Sequence, residues 1–313
     1  MSKSLEKFYL EDEMDSEPDP TPKREPKIMF TCTWSNEIIP LPTLTKYLTQ
    51  FNSEYNIRIN KEGIDFSGDF GWNKGKVFLH LDKRDFREFV FYSEEPLKFK
   101  LNIEYLDRKI KRFGKSPEKI QMLIDMKDYH RNTLQLKIRQ FHFLQERLEF
   151  DLKQTLWTTE CDFTVNFSTA IPEIRDALTF AHNVKAEYIQ LSIQPGHDLN
   201  IAGSSTEDAS KFSIDLTLTP GIPLLMGPAT YDIAMEIAKP IFNFPAAHVQ
   251  IEFGTFTPLV CTYKLNPADP ASNSLLRMTA AILRLSQSYE TAHELLIKIF
   301  RLKFLNLLTR DRP

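Results

Sequence analysis

Short runs of alternating apolar and polar residues recur from residue 28 to residue 265 and predict β-strands. IMFTCTW (28–34), YNIRI (55–59) and IDFSG (64–68) come first, and GKVFLHLDKRDFREFVF (75–91) holds one or two more. Ile120–Asp125, Thr133–Ile138 with its continuation to Phe143, and Leu148–Leu152 follow. The pattern restarts with CDFTVNF (161–167), YIQLSI (188–193), DLNIAGS (198–204) and FSIDLTL (212–218), and HVQIEFG (248–254) with PLVCTYKL (258–265) predicts a hairpin. Four stretches place apolar residues three and four apart instead, which predicts helices with one buried stripe. They are Leu41, Leu44, Leu48 and Phe51; Ile103, Leu106, Ile110 and Phe113; Ile171, Ile174, Leu178 and Ala181, with Pro172 in the first turn; and TYDIAMEIAKPIF (230–242), with Pro240 near its end. Gly114 stands where the second helix needs a C-cap with positive φ.

Units beginning near Ile28, Phe99, Cys161 and Ala229 repeat strand, helix, strand, turn, strand, with a period of about 60–70 residues. A period of that length predicts duplicated supersecondary units. The fold class is therefore α+β, with two similar domains, each carrying two helices on antiparallel sheet. The domains are expected at residues 27–152 and 161–283, joined by the connector KQTLWTTE (153–160). Residues 1–26 are acidic and proline-rich with almost no apolar content, the composition of a disordered tail. LLRMTAAIL (275–283) fits a closing strand or a helix. Residues 284–309 place Leu295, Ile299, Leu302 and Leu305 on one helical stripe, suited to packing on the second domain or to docking a partner or a membrane surface.

Composition narrows the chemistry. The chain has 313 residues, a formal net charge of −3 and 26% charged residues, within the globular range. No apolar run is long enough to span a membrane, and the start is too polar and acidic for a signal peptide. Cys32, Cys161 and Cys261 lie in separate apolar runs, the pattern of reduced, buried thiols in an intracellular protein. The seven histidines have no metal-ligand spacing, and no HExxH, P-loop, GxGxxG or GxSxG occurs. No set of acidic residues marks itself as a two-metal nuclease centre; Asp125 and Asp128 flank an expected turn. No cofactor, metal or catalytic residue is expected.

The charge pattern of the helices is the remaining signal. Helix 103–113 carries Arg108, Lys109, Lys111 and Arg112 against Glu104 and Asp107. The helix at 41–52 offers Lys46 and no acid, and Lys185 and Lys239 lie at or near the ends of the other two helices. Arg175 stands between Glu173 and Asp176, and Asp232 and Glu236 flank the fourth helix, so positive charge concentrates in the first domain. Cations on helix surfaces suit contact with phosphates rather than bases, and a solvated charged face is the alternative.

A doubled pair of such units, with basic helix faces, resembles the DNA sliding clamp family. NIEYLDRKIKRFGKSPEKIQMLI is similar to the central helix and following strand of a clamp's first domain. CDFTVNF, IPEIRDAL, AEYIQLSI and LNIAGS are similar in order to the start of the second domain, and VQIEFGTFTPLVCTYKL to its late hairpin, which in clamps ends in a PL-x-x-x-Y pattern. The resemblance covers residues 27–283. FREFVFYSEEPLKFKLNIEYL, RFGKSP, EIRDAL and the short connector are closer to the "one" subunit of the heterotrimeric nine-one-one checkpoint clamp than to proliferating cell nuclear antigen. The resemblance implies a ring of three chains around duplex DNA at damaged or stalled sites, with helices lining the hole. It also implies a clamp loader and two further subunits as partners, no sequence specificity, no membrane and a nuclear location. By position, Lys46, Arg108, Lys109, Lys111, Arg112 and Arg175 map to the hole-facing helices, with Lys185 and Lys239 beside them. Glu173 and Asp176 fall where replicative clamps carry cations, which implies a weaker grip by the second domain. A homotrimeric replicative or viral clamp is the alternative. Some checkpoint-family members have been described as exonucleases, which makes a 3′→5′ exonuclease the alternative of a different class.

Overall fold

The computed structural model describes residues 28–35, 40–70, 75–112, 119–138, 144–149, 163, 165–194, 198–205, 211–216, 224–225, 227–254 and 257–280. The expected tail, connector and C-terminal helix, the cap at Gly114 and Cys161 lie outside the described residues.

The first half runs β1 (Ile28–Ser35), α1 (Leu41–Leu48), β2 (Glu54–Ile59), β3 (Gly63–Phe70), β4 (Gly75–Asp82), β5 (Glu88–Phe91), β6 (Leu97–Asn102), α2 (Ile103–Arg112), β7 (Lys119–Asp125), α3 (Met126–His130), β8 (Thr133–Ile138) and β9 (Leu144–Glu149). The second half runs β10 (Val165–Ala170), α4 (Ile171–Asn183), β11 (Ala186–Ile193), β12 (Leu199–Ser205), β13 (Lys211–Leu216), β14 (Leu224–Leu225), β15 (Ala229–Ala234), α5 (Met235–Phe242), β16 (His248–Gly254), β17 (Thr257–Lys264) and β18 (Leu275–Ala280). Apart from α3, the two halves match element for element. The repeat expected from the sequence is therefore present as two copies of a doubled strand–helix unit.

Two expectations change and one open choice is settled. Residues 229–234 form β15, not the start of the fourth helix, which begins at Met235. Tyr231 and Ile233 face the core with period two, and the strand pairs β11 from Tyr188↔Ala234 to Ile193↔Ala229. Leu275–Ala280 resolves as a strand, with Leu276, Met278 and Ala280 buried on alternate positions. Asp128 lies in the one-turn helix α3 rather than in a simple turn.

The strands form three sheets, and every ladder described is antiparallel. One has the order β5-β1-β7-β8-β9, another β13-β12-β11-β15, and the third, of nine strands, β14-β10-β16-β17-β18-β4-β3-β2-β6. The repeat explains the third. Its first five strands are the second half's copy of the sheet that ends in β9, and its last four are the first half's copy of the sheet that begins in β13. The halves are thus joined edge to edge by β18 and β4, with Leu276 opposite Leu79 and Met278 opposite Val77. The equivalent edges, β9 of the first half and β13 of the second, each pair with one neighbour among the described residues.

Polar groups fasten this seam. The Asp85 carboxylate accepts from Asn266 Nδ2 at 2.8 Å and from Ser272 Oγ at 2.5 Å, both in the loop before β18. Asp82, buried at the end of β4, accepts from Arg84 and from the Asn273 amide, and the Arg84 guanidinium holds its carboxyl down at about 2. Within the first half, His80 of β4 lies 2.7 Å from Asp65 of β3, and that hydrogen bond raises its pKa. At Gly75 a methyl group would stand 2.2 Å from the Phe70 ring and 2.6 Å from the Thr279 carbonyl oxygen, so β4 and β18 approach too closely there for a side chain. Cys32 and Cys261 are buried free thiols whose pKa burial pushes up.

Candidate nucleic-acid interface

The helices form one layer. Ile103, Leu106 and Ile110 of α2 are buried, as are Leu41, Leu44 and Leu48 of α1. Each such side chain contributes about 2 kcal/mol on removal from water. α1 packs on α2 and α4 on α5. Tyr47 of α1 joins the pairs: its hydroxyl donates to the carbonyls of Pro240 at 2.7 Å and Ile241 at 3.1 Å, and its ring meets Phe244 edge-on at 4.7 Å. The order across the layer is therefore α2, α1, α5, α4.

Six of the eight expected cations are exposed on or beside this layer. Lys46 projects from α1, Arg108, Lys111 and Arg112 from α2, and Lys239 from α5, while Lys185 follows α4. Lys109 is half-buried. Arg108 lies over the exposed Tyr105 ring, 4.3 Å from its centroid, an arrangement that fixes the guanidinium at the surface. Lys111 pairs with Asp107 one turn earlier. Asp107 is itself buried and also accepts from Thr45 Oγ1 of α1 at 3.0 Å, so this carboxylate ties the two helices together. Lys185 has φ of 53°, in the left-handed region that usually takes glycine after a helix.

Arg175 departs from its expected place in the hole. Its Nε donates to the Phe242 carbonyl at 3.1 Å and its Nη2 to the Phe244 carbonyl at 2.5 Å. The last carbonyls of a helix have no intrahelical donors and carry partial negative charge, so a guanidinium there is well placed. Arg175 from α4, Tyr47 from α1 and Tyr263 from β17 (hydroxyl to Ile241 O, 2.9 Å) together cap the end of α5. Nothing local in the sequence marks these donors, because their acceptors lie 22 to 194 positions away. Arg175→Met is expected to lower the unfolding free energy by about 2–3 kcal/mol, the cost of two buried acceptors left without a charged donor. Equilibrium unfolding in urea measures the loss. Unchanged stability would show that the hydrogen bonds to the Phe242 and Phe244 carbonyls do not hold the end of α5.

Among the described residues, no group of three or more His, Cys, Asp or Glu side chains is arranged to hold a metal ion. No described helix is long and apolar enough to cross a membrane.

No protein-family model matches the sequence, and no curated protein matches it. Solved structures do. Proliferating cellular nuclear antigen from Entamoeba histolytica superposes with a TM-score of 0.68 at 12% identity, over 82% of this chain and 99% of the other. The Thermococcus kodakaraensis antigen gives 0.67 at 15% identity, over 81% and 99%. A PCNA2–PCNA3 complex from Sulfolobus tokodaii gives 0.65 at 14%, over 81% and 99%. With a doubled strand–helix repeat, a shared nine-stranded sheet and a four-helix layer, the chain has the fold of the DNA sliding clamps of proliferating cell nuclear antigen type.

Proposed function

We propose that this chain is one subunit of a ring that encircles duplex DNA and slides on it, tethering partner proteins without catalysing a reaction. One observation carries the reading. The two halves of the chain are joined by β18 against β4, and the repeat leaves the equivalent edges, β9 and β13, at the chain's two outer sheet ends. The same joint made between chains closes a ring, because a head-to-tail contact that repeats with rotation generates a cyclic assembly. Three chains are the number that the resemblance to clamps implies. The helix layer then lines the hole, and Lys46, Arg108, Lys111 and Arg112 meet phosphates without reading bases.

Within clamps, the segments FREFVF, RFGKSP and EIRDAL favour the checkpoint subunit. That reading gives a chain that is monomeric alone, needs two different partner chains and a loader, and works in the nucleus at damaged or stalled sites. A self-assembled ring of three times 36.5 kDa in light scattering would instead make it a homotrimeric clamp. The clamp reading itself is tested by topology. Protein loaded on a nicked circle is retained through gel filtration and is released when the circle is cut. Equal retention on circular and linear DNA would remove the ring reading, and metal-dependent shortening of 3′ ends by the purified chain would favour the exonuclease.

A further inference from the structure

The seam between the two halves shows what a joint does to the helices above it. α1 and α4 begin alike, each with proline at its second position, so Thr45 matches Arg175 and Tyr47 matches Ala177. Thr45 and Arg175 each bond to the second helix of their own half, Thr45 to Asp107 of α2 and Arg175 to the carbonyls of Phe242 and Phe244 at the end of α5. Tyr47 leaves the other flank of α1 and meets α5 across the seam. The matching flank of α4 carries Ala177, with Glu173 and Phe180 one turn to either side. Phe180 stands five positions from Arg175, about 140° around the helix, and so points away from α5. It is 57% exposed. Glu173 is exposed too, and has no ion-pair partner among the described residues. The second helices compare in the same way. α2 follows β6 and α5 follows β15 without a break, so Tyr105 and Lys109 match Ile237 and Ile241. Ile237 and Ile241 are buried, and the Ile241 carbonyl accepts from Tyr47. Tyr105 is 53% exposed and Lys109 half-buried; α2 ends the layer, whereas α5 has α1 beside it.

We infer that the outer flank of α4 is a docking surface for a helix of the neighbouring ring chain, the one equivalent to α2, and that this helix presents a cation and an aromatic ring. This rests on the clamp reading above. The β18–β4 seam sets α1 against α5. α2 packs on β9 and α4 on β13, the two outer strands, so a joint between those edges sets a helix equivalent to α2 against α4. The two flanks are complementary: Glu173 and Phe180 on α4, Lys109 and Tyr105 on α2. Aromatic side chains covered at the centre of an interface carry much of its energy. Charges at its rim select the partner and fix the sense in which chains meet. Where α1 puts the bulk of Tyr47 into its joint, α4 has the small Ala177, which leaves room for a side chain of the incoming helix. Glu173 then serves the joint rather than the hole, which accounts for a carboxylate on a helix of a layer that surrounds DNA.

The test uses the assembly recovered from cells, followed by light scattering on dilution, with substitutions in this chain. Phe180→Ser is expected to dissociate at a concentration about tenfold higher than the wild type, at any salt. Glu173→Lys is expected to dissociate at a concentration several-fold higher at low salt, with the difference fading at ~0.5 M, where charges are screened within about 4 Å. Thr179→Lys changes an exposed position of the same helix about 100° from Phe180, and is expected to match the wild type. If neither Phe180→Ser nor Glu173→Lys weakens assembly while a proline at the outer edge of β13 does, the inference falls and the clamp reading stands. If Phe180→Ser acts and Glu173→Lys does not, a basic helix is not the occupant. If Thr179→Lys weakens assembly as much as Phe180→Ser, the contact does not lie on this flank, and the inference falls. Wild-type chain that is recovered only as single chains and is not retained on circular DNA would remove the clamp reading itself. Thermal unfolding confirms that each variant is folded, as expected for exposed positions.

Discussion

Replacing Tyr47 by alanine is expected to lower the free energy of unfolding by about 4–5 kcal/mol, a large share of the 5–15 kcal/mol typical of a folded protein. The residue is 4% exposed and reaches from α1 in the first half to the end of α5 in the second. Its ring packs edge-on against Phe51 at 5.1 Å and Phe244 at 4.7 Å, so truncation leaves a cavity between the halves. The hydroxyl adds a separate contribution. Pro240 lies inside α5, where it removes one helical donor, and the carbonyls near the helix end lack partners in any case. Tyr47 Oη supplies hydrogen bonds to the Pro240 and Ile241 carbonyls, and burial raises its pKa well above the usual phenol value.

Tyr47→Phe separates the two contributions. It keeps the ring and removes the donor, and is expected to cost about 1–2 kcal/mol, since the Ile241 carbonyl keeps Tyr263 while the Pro240 carbonyl loses its partner. Equilibrium unfolding in urea reads both variants, provided the slope with denaturant is unchanged. A loss below about 1 kcal/mol for Tyr47→Ala would mean that the contact between the halves is not part of the cooperative unit.

These residues show where sequence reading stops. The stripe Ile103, Leu106 and Ile110 was legible because a helix buries one face, and the strands because a sheet buries alternate positions. Residues 230–234 misled because Tyr231, Ile233, Ala234 and Ile237 satisfy both spacings; the pairing with β11 decides, and that pairing is not local. Lys46, Arg108, Lys111 and Arg112 were legible as exposed cations because they lie off their helices' apolar stripes. Arg175 was not legible as a cap, nor Asp107 as the buried link from α2 to Thr45, because each is defined by a partner on another element. The join of β18 to β4 spans about two hundred residues of chain and follows from the order of the repeats only once the sheets are known.

Proline at the free edge of β13 is expected to weaken assembly with a neighbouring chain about 30-fold. β13 reads KFSIDL, pairs with β12 from Leu199↔Leu216 to Ser204↔Lys211, and presents its other edge outward. Successive amides of a strand point to opposite edges, so of Ser213→Pro and Ile214→Pro one removes a donor from the β12 ladder and the other a donor from the free edge. The first loses stability, and the second keeps the wild-type unfolding midpoint to within a few degrees. If the free edge continues the sheet into the strand of a neighbouring chain equivalent to β9, the second variant loses one or two main-chain hydrogen bonds and strand alignment at that joint, about 2 kcal/mol. A ring made with two different partner chains contains one such joint, so its assembly constant falls about 30-fold. Light scattering of the assembly recovered from cells on dilution then shows the variant dissociating at a concentration about 30-fold higher than the wild type. A folded edge variant that keeps its full assembled mass would show that β13 is not the joint, and that the match between β18–β4 and the outer edges does not extend from one chain to the next.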